Sequence, residues 1–245
     1  MHGFNVPYPQ WKAQAHHALE NVVSAAITER ATILFPGNVY GLGPNFEQPL
    51  AEDCRREAPT DKGRLRNELE QSLQAACNHG ARAIVLRAGD YLGPNTKNTW
   101  FDHITKNARR GGAIVDPAPI GVPHEWAYLP DLAHAAADLL DLRGELAAHA
   151  DFHFAGYAVD SATLIRAVRK ALGDNQRKVK RMAWWPLKLL SPLVPLTKEL
   201  VEMRYLFEHP VLLDGSKLQT VLGSPRKTPL DQAVASVLNA AAALT

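Results

Sequence analysis

Apolar residues are arranged along this chain in two patterns. Short continuous runs with β-branched members occur at residues 31–35 (ATILF) and 83–86 (AIVL), each bounded by residues that break regular structure. Such runs predict strands buried on both faces of a parallel sheet. Elsewhere the apolar positions recur three or four residues apart. Ala15, Leu19, Val22, Val23 and Ala26 share one face of a helix predicted over residues 12–29. Leu65, Leu69, Leu73 and Ala76 form the stripe of a second over 62–79, with Thr60 or Asp61 as its cap and Gly80 as its stop. Weaker signals predict a helix over 100–109, strands at 112–115 and 152–154, and an extended segment at 125–129. A helix from Pro130 to about Leu142 has proline in its tolerant first turn, and another runs from a Ser161 cap to Gly173. Residues 42–61 and 117–123 read as loops, 174–181 as a basic loop, and 196–207 and 230–244 as two terminal helices. Strands alternating with helices predict an α/β fold with a parallel sheet.

In such sheets ligands bind beyond the carboxyl ends of the strands. The first strand leads into Pro36-Gly37-Asn38-Val39-Tyr40-Gly41, the second into Arg87-Ala88-Gly89-Asp90-Tyr91-Leu92-Gly93-Pro94. These turns are the first candidates for a site. The hydrophobic content of 46% suffices for a sizeable core, and a net charge of +2 is too mild to imply nucleic acid or an acidic membrane. Cys54 and Cys77 have neither CxxC nor zinc spacing, which fits reduced thiols in a cytoplasmic protein. The first residues have no basic stretch followed by an apolar core, as a signal peptide would. The most apolar run, 182–196, is interrupted by Pro186, Pro192 and Pro195. No metal is expected: His16-His17 lacks a third ligand, and His124-Glu125 is not an HExxH motif. There is no Gly-x-Ser-x-Gly elbow. The run Arg177 to Arg181 reads as a solvated loop. Trp184-Trp185 with Leu187, Leu189 and Leu190 reads as part of a lobe packing on the sheet, in preference to a lid or membrane-facing patch.

Five stretches in order resemble the extended short-chain dehydrogenase/reductase family, the NAD-dependent epimerase/dehydratase group. Residues 35–41 (FPGNVYG) are similar to its strand ending in Ser-Ser-x-x-Val-Tyr-Gly. Lys62, Arg66 and Glu70 stand where it has Tyr-x-x-x-Lys-x-x-x-Glu. Residues 86–94 (LRAGDYLGP) resemble its Arg-Pro-x-x-x-x-Gly-Pro turn. Residues 126–133 (WAYLPDLA) resemble its Val-x-Asp-Leu-Ala segment, and 152–156 (FHFAG) its Phe-Asn-x-Gly-Gly strand. The resemblance covers roughly residues 1–172 and implies a partial Rossmann-like, doubly wound parallel sheet there, with 173–245 as a small, mostly helical C-terminal lobe.

What the resemblance implies for function is an oxidoreductase- or epimerase-like protein using NAD or NADP on a small carbonyl or nucleotide-linked substrate. It assigns Lys62 and Arg66 to the catalytic positions. Asn5, Gly37, Asn38, Arg66 and Ala88 fall at the cofactor, and Tyr40, Gly89 and Asp90 at the substrate. It also implies a homodimer through the helices at 12–29 and 62–79, with no nucleic-acid or membrane partner. The departures are as informative. Pro36 replaces the family's hydroxyl residue, Lys62 its tyrosine and Arg66 its lysine, so the usual Tyr-Lys proton transfer is not available. The family's Gly-x-x-Gly-x-x-Gly loop is missing from the 245 residues, and Met1 to Asn5 resembles the end of its fourth strand. The sequence is therefore expected to begin inside the fold. A non-catalytic dinucleotide-sensing or scaffold relative is the alternative.

Overall fold

A computed structural model of the chain describes residues 11–44 and 48–242. In chain order the elements are α1 (Trp11–Thr28), β1 (Thr32–Asn38), α2 (Asp61–Cys77), β2 (Arg82–Ala88), β3 (Asp90–Leu92), α3 (Trp100–Thr105), β4 (Ile114–Asp116), β5 (His124–Tyr128), α4 (Leu129–Asp141), β6 (His149–Phe154), β7 (Tyr157–Val159), α5 (Ser161–Ala171), β8 (Val179–Arg181), α6 (Trp184–Leu190), α7 (Pro195–Glu202), α8 (Tyr205–Glu208), α9 (Ser216–Leu222) and α10 (Leu230–Ala242). They form two compact units, each assembled from separate stretches. The first takes residues up to Ala88, His134–Phe154 and Leu213–Pro225; the second takes Gly89–Ala133, Ala155–Leu212 and the chain from Arg226.

In the first unit β1, β2 and β6 form a parallel sheet in that order. β2 is central and buried along its length except at Arg82, as its unbroken apolar run requires. A parallel sheet needs helices over its faces. The stripes of α1 and α2 supply one such cover: Leu19, Ala26, Leu65, Leu69, Leu73 and Cys77 pack with Ile33, Phe35, Ala83 and Val85. Each aliphatic side chain fully withdrawn from water there contributes about 1.5–3 kcal/mol. The Thr60 hydroxyl caps α2 by accepting from the Gly63 N–H at 3.1 Å, and Gly80, at φ 98°, turns the chain into β2. Register places Asn38 beside Ala88, and Arg87 beside His153.

In the second unit β3 pairs parallel to β5, and β5 antiparallel to β7. A separate parallel pair joins β4 to β8. α5 packs against α10, burying Leu164, Val168, Ala233, Val234 and Leu238. The segment leading into α10 is tied down by Asp131, whose carboxylate accepts from the Thr228 N–H at 2.6 Å and its hydroxyl at 2.9 Å.

Several segments correct the sequence pattern. The basic stretch 174–181 is not all loop: β8 occupies its end. Its side chains are all exposed, so edge hydrogen bonds hold it instead of apolar burial, among them Ile114 N–H to the Lys178 carbonyl and Met182 N–H to the Asp116 carbonyl, both 2.8 Å. Asp160, not Ser161, caps α5, its carboxylate accepting from the Thr163 N–H at 2.9 Å. The helix predicted over 100–109 stops at Thr105 and resumes as one 3-10 turn, Ala108–Arg110. The one predicted over 196–207 is broken at Met203 into α7 and α8. α6 forms despite Pro186, which sits in its first turn, where the missing N–H would have had no helical partner.

Candidate functional site

β1 ends at Asn38, whose extended backbone opens a single 3-10 turn, Val39–Gly41. The Asn38 side chain holds that turn by accepting from the Tyr40 N–H at 3.2 Å, and Tyr40 is buried in it. α2 docks its first turns directly on this element. Gly63 makes the approach possible, because a Cβ there would collide with the Tyr40 carbonyl oxygen. A Cβ on Gly37 would likewise collide with the stem of Arg87. Lys62 and Arg66 rise from α2 on this platform. Lys62 is only 6% exposed. Arg66, one turn on, donates to the Pro36 carbonyl oxygen and lies over the Phe35 ring, 4.7 Å from its centre. The fold thus brings Gly37, Asn38, Tyr40, Lys62, Arg66 and Ala88 to the carboxyl ends of β1 and β2. Asn5 lies outside the described residues, and Gly89 and Asp90 belong to the second unit.

The spacing of Lys62, Arg66 and Glu70 sets all three on one side of α2. Glu70 faces inward. Its Oε2 accepts from Arg87 Nε at 2.9 Å, Arg87 Nη2 at 2.6 Å and Arg56 Nη1 at 2.6 Å. Arg87, 1% exposed, also donates Nη1 to Asp151 Oδ2 at 3.1 Å, and Lys217 Nζ donates to the other Asp151 oxygen at 3.0 Å. Burial by itself would raise both carboxyls. Burial is the largest single influence at each site, but the Arg87 charge and its hydrogen bonds, together with Arg56 at Glu70 and Lys217 at Asp151, outweigh it and hold both below the ordinary range. Burial opposes the Arg87 charge too, yet Glu70 and Asp151 raise its pKa further.

His153 closes the cluster. Its Nδ1 meets the Leu50 carbonyl at 2.9 Å and its Nε2 meets Arg87 Nη1 at 3.3 Å. A carbonyl only accepts and a guanidinium only donates, so the ring is neutral with its proton on Nδ1. Burial first, and the Arg87 charge second, push its pKa down to about 4. The sequence pointed to Arg87, Glu70 and His153 as motif positions but gave no signal for Asp151 or Lys217, which only the sheet register and α9 bring near.

In the second unit Gly89 abuts the Glu125 carbonyl, where no side chain would fit. Asp90 is buried, its Oδ2 2.8 Å from His124 Nε2. His124 Nδ1 donates to the Leu206 carbonyl at 2.9 Å. The imidazole stacks on Phe207, 4.4 Å between ring centres, and lies 4.8 Å from Trp126. These three rings, with Asp116 and Ser161, line a narrow, mainly apolar cavity. The sequence weighs His124 only against a metal motif, because a residue 34 positions from Asp90 becomes its partner only through the β3–β5 pairing. Among the described residues no group of His, Cys, Asp and Glu is arranged to hold a metal, and no helix is long and apolar enough to cross a membrane.

No protein-family model and no curated protein matches the chain. Solved structures do match its fold. A UDP-N-acetylglucosamine 4-epimerase from Methanobrevibacter ruminantium M1, in complex with UDP-N-acetylmuramic acid, is 14% identical with a TM-score of 0.73, over 98% of this chain and 74% of that one. A dTDP-glucose 4,6-dehydratase from Streptomyces venezuelae, with NAD bound, is 13% identical with a TM-score of 0.73, over 98% and 71%. A UDP-galactose 4-epimerase is 15% identical with a TM-score of 0.70, over 93% and 68%. The chain spans about two thirds to three quarters of the length of such proteins. The likeness defines an α/β fold of the Rossmann type. It is a fold shared with solved nucleotide-sugar epimerases and dehydratases.

Proposed function

We propose that the chain is a cytoplasmic, NAD(P)-dependent oxidoreductase- or epimerase-like protein acting on a small carbonyl compound or nucleotide-linked sugar. The observation that carries this reading is the grouping of Asn38, Tyr40, Lys62, Arg66 and Ala88 at the carboxyl ends of two parallel strands, in a fold shared with proteins solved with NAD and with a UDP-sugar acid. These residues fit one end of a dinucleotide. Two cations and a side-chain amide suit ribose hydroxyls and the nicotinamide. The pyrophosphate end is not met, since the 245 residues contain no glycine-rich loop leading into a helix. When bound, the cofactor supplies hydride exchange; Lys62 and Arg66 would position its ribose, and Tyr40 would border substrate.

A second reading, a dinucleotide-sensing or scaffold protein without turnover, is favoured by one specific observation. Pro36, Lys62 and Arg66 offer no hydroxyl or phenol at the positions that carry proton transfer in the family, and the Arg66 guanidinium is engaged by the Pro36 carbonyl. Calorimetric titration of this chain with NAD and NADP is expected to give dissociation constants weaker than micromolar. Lys62→Met and Arg66→Met should each weaken that binding by about ten-fold, about 1.4 kcal/mol, the scale of one charge-assisted contact. Binding that neither substitution changes would place the site elsewhere. Reduction or oxidation of the bound nicotinamide on adding UDP-hexoses would exclude the scaffold reading.

The dimer is proposed on α1 and α2, which pack side by side; their Leu stripes already cover the sheet, so a second copy would meet the outward faces, where small or apolar Ala13, Ala25 and Ile27 are exposed. Sedimentation equilibrium at micromolar concentration is expected to show two copies; a monomer there would remove this proposal.

A further inference from the structure

We infer that α6 and the turn after it form a docking surface for an anionic lipid bilayer. The two adjacent tryptophans do different things. Trp184 is an anchor: its indole N–H donates to the Pro117 carbonyl at 3.1 Å, its ring packs near Trp100 and Phe207, and the Arg204 guanidinium lies 5.6 Å from it. Trp185 points away from that core and is 73% exposed. Leu189, one helical turn on, is 71% exposed. The chain then continues in hydrogen-bonded turns, with the N–H groups of Leu193 and Val194 both donating to the Leu190 carbonyl, and Leu193 is 80% exposed. Large apolar side chains are thus presented to water at three positions, each four residues after the last. Ile120, 85% exposed, lies in the loop whose Pro117 and Ala118 carbonyls are held by Trp184 and Arg181.

Charge identifies the occupant. Residues 175–198 include six cations and no Asp or Glu; Arg177 and Arg181 are paired with Asp174 and Asp116, and Lys178, Lys180, Lys188 and Lys198 are exposed. Lys180 of β8 and Lys188 of α6 lead this exposed positive face. A second copy seated on the same patch would bring this one-signed cluster against itself. A bilayer bearing anionic headgroups meets both features at once. Trp and Leu enter the headgroup–acyl boundary while Lys and Arg remain among the phosphates. The inference does not rest on the dinucleotide-site reading, and nothing in it requires a transmembrane segment.

The test is co-sedimentation of the full chain with phosphatidylcholine vesicles, with and without phosphatidylglycerol, alongside intrinsic tryptophan fluorescence. Pelleting at least ten-fold stronger with the anionic vesicles, a blue shift on binding and release by high salt are expected. The triple substitution Trp185→Ser, Leu189→Ser, Leu193→Ser changes only exposed side chains and should abolish pelleting and the shift while leaving the circular dichroism spectrum intact. Lys180→Gln with Lys188→Gln should weaken binding to anionic vesicles alone. Equal pelleting with both vesicle types, no pelleting with either, or undiminished binding by the triple variant overturns the inference. So does a triple variant that turns a dimer into a monomer while the parent chain ignores vesicles, which would make the patch a self-interface.

Discussion

Arg87→Met is expected to cost the protein about 3–5 kcal/mol of stability, the range found when one partner of a buried ion pair is removed. The substitution keeps much of the aliphatic stem that packs on Gly37, so the loss is one of charge and hydrogen bonds. Glu70 would keep Arg56, whose side chain is 25% exposed, but lose both contacts from Arg87. Its carboxylate would then be under-compensated in a buried site. The folded-state pKa of Glu70 should move from below the unfolded value to above it, so the variant loses additional stability as pH rises through the new value. The deficit measured by urea unfolding should therefore be larger at pH 8 than at pH 5. Adding Glu70→Leu removes the stranded charge, and the double variant is expected to be more stable than Arg87→Met alone. A deficit of about 1 kcal/mol or less, typical of exposed pairs, or one that does not vary with pH, would mean that water reaches the cluster.

The same cluster should make the protein labile to mild acid. His153 is neutral in the fold, with its pKa lowered to about 4 by burial first and by the Arg87 charge second. In the unfolded chain it takes up a proton near pH 6.5. Protonation therefore favours the unfolded state. The stabilising contribution is complete above about pH 6.5 and is lost as pH falls toward 4, amounting to about 3 kcal/mol across that window. His149 and His103, both lowered chiefly by burial, act in the same direction, whereas Glu52, raised chiefly by burial, acts against it. Below pH 4 the depressed carboxyls of Glu70 and Asp151 must also be protonated, and the loss continues. Urea midpoints followed from pH 7.5 to 4.5 should show the decline, and His153→Gln, though less stable at neutral pH, should show a shallower one. An unchanged slope in that variant would assign the acid sensitivity to other groups.

The elements held by buried apolar side chains were readable before the structure. The runs at 31–35 and 83–86 became β1 and β2, and the stripe from Leu65 to Leu73 became the buried face of α2. The motif positions Lys62, Arg66 and Glu70 also lie where their spacing puts them. What stayed hidden depends on contacts distant in sequence or on hydrogen bonds alone. β8 carries Val-Lys-Arg, with no alternation to announce a strand, and is defined by its edge with β4. The Asp90–His124 pair needs the parallel pairing of two short strands. The cluster around Arg87 draws on β6 and α9, one following a long excursion through the second unit and the other arriving near the end of the chain. Asp160 displaced Ser161 as a cap because a carboxylate one residue earlier had the extended backbone that capping needs.

The interleaving of the two units bears on how the protein comes to be folded as it is made. Synthesis delivers β1, α2 and β2 first, then most of the second unit's strands, and only later the stretch from Leu213. That late stretch carries Leu213, bridged to Leu50, and Lys217, paired with Asp151. The first unit thus cannot close while the chain is half made, and the second waits for α10, the last helix described. Neither can fold to completion as an early-emerging domain in the manner of a contiguous one. Both must wait for the C-terminal fifth of the chain, with apolar strands exposed in the interval, so a holding chaperone during translation should raise the yield more than slower refolding of the finished chain.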